Sequence, residues 1–133
     1  MTRLGRWAVG VLMCAGVLMA PAVSAHHSVS GQFDVTKTLV LEGSVVKVEW
    51  ANPHIYIHLK VKEASGQDVV WLLGTVPVGM ARAAGITKEE LFAAGKVVKM
   101  STYPARDGTK HLGWVFRIDY PDGKFILTAP DRQ

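Results

Sequence analysis

The chain has 133 residues, with 15 Lys and Arg against 11 Asp and Glu and a formal charge of +4. That length suits one domain built on one hydrophobic core. The positive excess falls to +2 once Arg3 and Arg6 are set aside with the leader described next, too little for an electrostatic nucleic-acid binder.

Arg3 and Arg6 form a basic start, Trp7 to Ala20 is an apolar run shorter than a comfortable membrane span, and Val23-Ser24-Ala25 is a small-x-small cleavage site. Residues 1–25 are therefore predicted to be a secretory signal, cut before His26. The only cysteine, Cys14, sits inside the apolar run behind Met13, so lipidation is not expected and the mature chain carries no thiol and no disulfide. No later apolar segment reaches spanning length. The expected product is a periplasmic or secreted bacterial protein with no stable membrane anchor after cleavage.

The mature chain begins with a polar arm, residues 26–37, in which Phe33 is the one bulky apolar residue able to pin it to the body. A long strand follows. Leu39 and Leu41 share one parity, Val46, Val48 and Trp50 the other, and Gly43 stands between them where a bulge or bend would switch the face. Asn52-Pro53 then breaks the ladder. Beyond it Ile55, Ile57, Leu59 and Val61 alternate with His54, Tyr56, His58, Lys60 and Lys62, the pattern of a half-buried strand. Ala64-Ser65-Gly66-Gln67 reads as a hairpin loop, and the apolar run Val69 to Leu73 as a third strand covered on both faces.

From Pro77 to Gly95 the period changes to helical. Pro77 suits a first turn and Gly85 a stop; Thr87-Lys88-Glu89-Glu90 is a capping box that opens a second short helix ending at Gly95. Val97 to Tyr103, His111 to Tyr120 and Phe125 to Thr128 return to strand, separated by turns at Arg106-Asp107-Gly108 and Pro121-Asp122-Gly123. Three strands, a helical insert and two or three more strands is the order of a small OB-like Greek-key barrel occupying residues 38–129, with 130–133 as a tail; an antiparallel sandwich is the alternative.

The mature sequence offers no cysteine, no Gly-x-Ser-x-Gly elbow and no phosphate loop, which points away from an enzyme. Histidine is the exception, with all five in the mature part and one at its expected first position. A terminal His26 presents its α-amine and its ring to one metal ion, and one further imidazole would complete a three-nitrogen brace suited to Cu(II), with Zn(II) the alternative. His54 is the favoured partner because the Asn-Pro corner fixes its position, with Asn52 as a neighbour that orients its ring. His27, His58 and His111 are reserves. His54 and His58 share a strand face but lie roughly 13 Å apart, too far to hold one ion together.

Several of these features also resemble one family. Ala25-His26-His27-Ser28 with Phe33-Asp34, the string Val48-Glu49-Trp50-Ala51-Asn52-Pro53-His54, Trp71, and Pro104-x-Arg106-Asp107-Gly108 are similar to small secreted bacterial proteins grouped as domain of unknown function 6152. The resemblance implies export and a single compact domain, and supplies no substrate. Leu72-Leu73-Gly74 departs from it where an acidic residue is common, as does Ile86 where an aromatic is.

Two functions follow as expectations. The first is a non-enzymatic periplasmic module holding copper through His26 and His54. The second is an OB-like adaptor that binds a peptide, glycan or protein partner on the strand face around Tyr56 without metal.

Overall fold

The structure, a computed structural model, describes residues 28–128. The signal segment, His26, His27 and the tail lie outside the described residues.

Six strands form one sheet: β1 (Leu39–Glu49), β2 (Tyr56–Lys62), β3 (Asp68–Gly74), β4 (Val97–Pro104), β5 (Leu112–Asp119) and β6 (Phe125–Leu127). Their order is β3-β2-β1-β4-β5-β6, and a further parallel pairing of β3 with β5 closes the first five into a barrel. Closure settles the choice between barrel and sandwich, and β6 adds an outer strand to β5. Two short helices, α2 (Val78–Ala83) and α3 (Lys88–Phe92), stand between β3 and β4 where the change of period predicts them. The Thr87 hydroxyl accepts the Glu90 amide at 3.2 Å while the Glu90 carboxylate accepts the Thr87 amide at 2.9 Å, so the capping box is complete.

The alternation along β2 decides the interior. Ile55, Ile57 and Leu59 are fully buried, and Leu73, Val98, Met100, Val115 and Ile118 meet them from the other strands. Each such side chain contributes about 1.5–3 kcal/mol on leaving water. The outward set of β2 is then Tyr56, His58, Lys60 and Lys62.

Two sequence expectations need correction. Gly43 is not the point where strand one changes face. The register on β2 slips between Val45 and Lys47, so Val45 and Val48 both point inward and Val46, the bulged residue, is 46% exposed. Gly43 serves another purpose: it pairs with Val61 and Val98 at once, and a Cβ there would lie 2.1 Å from the Lys60 carbonyl oxygen. The backbones of β1 and β2 approach too closely for any side chain. Second, β3 is not covered on both faces, because Val70 is 49% and Leu72 36% exposed on the outside. An apolar run alone does not distinguish a sheathed strand from a half-exposed one whose outward residues happen to be aliphatic.

Of the arm, the structure describes Ser28 onward. A single helical turn, α1 (Val29–Gln32), leads to Phe33, which is buried and bridges to Ala105.

Candidate functional site

The Asn52-Pro53 corner delivers His54 to the outside of the barrel, one residue before the core residue Ile55. The backbone is fixed there by Ile55 N–H donating to Val76 O (3.2 Å) and Thr75 N–H donating to Ile55 O (2.9 Å). Over the His54 ring lies Trp114 of β5, edge to face at 5.1 Å between centroids. Trp114 can occupy that place because Gly74, its parallel partner on β3, has no side chain: a Cβ on Gly74 would stand 3.1 Å from the indole ring and 3.5 Å from Tyr56. On Trp114 also rests Phe33, with centroids 5.8 Å apart. The rings of Phe33 and His54 are therefore within about 11 Å of each other, with one indole as their common neighbour.

Arg106 holds the arm in place. Its backbone N–H donates to Gln32 O (2.9 Å), its Nε to Ser30 O (3.1 Å) and its Nη2 to Phe33 O (3.4 Å), while Asp34 N–H donates to Pro104 O (2.9 Å). Beyond Phe33, Asp34 caps the turn that enters β1. It accepts the Thr36 hydroxyl and amide and faces Lys37 at 3.2 Å, which lowers its carboxyl to about 2.

The histidines of the body are in unlike states. His58 Nε2 lies 2.9 Å from Glu49 Oε1, and Glu49 also accepts from Lys47; the two bonds, Lys47 first, hold its carboxyl below the usual range. An ionised carboxylate only accepts, so His58 carries its proton on Nε2. His111 Nε2 is similarly placed 3.0 Å from Glu63 Oε1, and its ring packs against Trp71. His54 differs: its Nδ1 is buried and has no hydrogen-bond partner. The other such atom among the described residues is Thr75 Oγ1, on the segment paired with Ile55. Leaving a polar atom in that condition costs about 1–3 kcal/mol.

Of the residues singled out in the sequence, His54 and Tyr56 share the outer face beside Trp114 and Gly74, His58 continues along the same strand, and His111 lies immediately before β5. Asn52 is exposed at the corner and does not bond the His54 Nδ1. No three His, Cys, Asp or Glu side chains among the described residues converge as metal ligands, and His26 and His27 lie outside those residues. Sequence reasoning missed Gly74, Trp114 and the clamping role of Arg106. The Arg106-Asp107-Gly108 turn is as expected, but nothing in its composition ties the guanidinium to residues 30 and 33.

Comparison with known proteins adds one finding. A model of a family of unknown function (DUF6152) matches residues 13–113, a span that takes in His26, the arm, the Asn-Pro-His corner and Arg106. No curated protein and no solved structure matches.

Proposed function

Because the chain belongs to the DUF6152 family, which carries no assigned function, we propose one from its own residues: an exported, non-enzymatic module that binds Cu(II) through the His26 α-amine and ring together with the His54 ring. The observation that carries this reading is the His54 Nδ1. It is buried without a partner, whereas His58 and His111 are each engaged with a carboxylate. Coordination would give that nitrogen the partner it lacks.

The docked arm supports the reading by reach. Phe33 is anchored on the same indole as His54, and α1 rises about 1.5 Å per residue from there back to Ser28. Two extended residues more, about 7 Å, bring the chain to His26. That length is at least the separation of the Phe33 and His54 rings, which is no more than about 11 Å. An all-nitrogen ligand set favours Cu(II) over Cu(I), with Zn(II) as the runner-up. Cleavage between Ala25 and His26 matters for the same reason: with Ala25 retained the terminal amine no longer belongs to the residue that carries the ring, whereas a cut one residue later would pass the amine and ring to His27.

The test is a Cu(II) titration of the mature protein against a variant with one extra residue ahead of His26. The native terminus should bind far more tightly. Equal affinity in the two proteins would refute the brace, and an unchanged affinity in His54→Ala would remove His54 from it.

A further inference from the structure

The turn α1 is held from outside itself. Its inner bonds run from Gly31 N–H to Ser28 O and from Phe33 N–H to Val29 O, both at 2.8 Å. It has no side-chain cap and buries none of its four residues. A lone turn fixes more backbone than so few hydrogen bonds offset. The further bonds come from one residue. Arg106 donates to Gln32 O through its backbone N–H, to Ser30 O through Nε and to Phe33 O through Nη2. The two guanidinium bonds are charge-assisted, and a planar fork reaches two carbonyls at once.

The state of α1 sets the length of chain between Phe33 and the amino terminus. As a helical turn its four residues span about 6 Å; extended, they span about 14 Å. Phe33 is the fixed point, since its ring rests on Trp114, the indole that also contacts His54. A tether matched to its span gives the highest local concentration of the group it carries, and a looser one gives less.

We propose that Arg106 is the positioning residue of the Cu(II) site: by holding α1 as a turn it keeps the amino terminus close to His54, and bound copper in turn tightens the docked arm. The inference rests on Cu(II) binding by His26 and His54. Its two halves are linked, since a metal that bridges arm and body strengthens their docking by the same factor by which docking strengthens the metal's own binding. The sign of the effect separates positioning from charge. Arg106 adds a positive charge beside a cation site, so its removal would tighten Cu(II) binding if electrostatics alone acted. Positioning predicts the reverse.

The test measures Cu(II) affinity for the mature protein, for Arg106→Ala, and for each of these with one extra residue ahead of His26. Arg106→Ala should bind about fivefold more weakly, the loss that follows when the docked fraction of the arm falls from nearly all to about one fifth. In the extended pair the substitution should change nothing. Phe33→Ala frees the arm by another route, so adding Arg106→Ala to it should cost less than about twofold more. In metal-free protein Arg106→Ala should speed exchange of the Asp34 amide, whose partner is Pro104 O, with the Met100 and Ile118 amides still protected. Cu(II) added to the native chain should slow the Asp34 amide. Arg106 is exposed; should Arg106→Ala still fail to fold, Arg106→Lys, which keeps the charge without the planar fork, carries the same comparison. If the extended native chain binds weakly but Arg106→Ala binds as tightly as the native protein or more so, the positioning role is overturned and the copper reading stands. The same loss in the extended pair also overturns the positioning role. Equal affinity of the native and extended chains overturns both.

Discussion

Replacing Phe33 by alanine should release the arm without unfolding the barrel. The Phe33 ring is buried against Trp114, and truncating a buried aromatic in a fixed surround costs about 3–5 kcal/mol. Here the surround is not fixed on one side, because the arm stands ahead of β1 and touches the body through one bridge and the bonds to Arg106 and Pro104. Those bonds are worth about 1 kcal/mol each, comparable to the cost of ordering each arm residue. They do not hold the arm once the ring is gone. The loss of global stability is then capped by the docking free energy of the arm, about 2 kcal/mol, below the full cost of truncation. The Arg106 amide, whose partner is Gln32 O, reports the difference. Its hydrogen exchange should accelerate about thirtyfold, the equivalent of about 2 kcal/mol, while the Met100 and Ile118 amides of the core strands stay protected. Unchanged protection at Arg106, or equal loss across the barrel, would refute the reasoning.

Other substitutions separate the remaining claims. Gly43→Ala sets a Cβ against the Lys60 backbone and should cost more than about 4 kcal/mol in urea denaturation, or prevent soluble folding. Thr87→Ala removes the hydroxyl that accepts the Glu90 amide and donates to the Glu90 carboxylate, and should lower stability by about 1 kcal/mol, near 4 °C in melting temperature. Asp34 has a folded carboxyl lowered from 3.8 to about 2, so its contribution is present above about pH 4 and is lost as pH falls toward 2. Urea midpoints of the wild type should drop across that window, and Asp34→Asn should flatten the drop.

Alternation and punctuation made most of the fold legible. Ile55, Ile57 and Leu59 declare the buried face of β2, Thr87 to Glu90 declare a helix start, and the hairpin and turn residues fall where they are expected. The face change in β1 lies past Gly43: glycine marks both bulges and close approaches, and only the approach of the Lys60 carbonyl to Gly43 distinguishes them. Val70 and Leu72 misled for a related reason: aliphatic side chains look the same in a core and on an exposed face. The site was legible only in part. His54 stands out by its corner, but the contact of Trp114 with His54 depends on closure between β3 and β5, and the Arg106 clamp joins residues more than seventy positions apart.

The most direct measurement is paramagnetic resonance of Cu(II) bound to the mature protein, comparing the native chain with His54→Ala and resolving the coordinated imidazole nitrogens. The expected result is two distinct imidazoles together with an amine in the native protein, and one imidazole fewer in the variant. Identical spectra from the two proteins would contradict a site shared by His26 and His54.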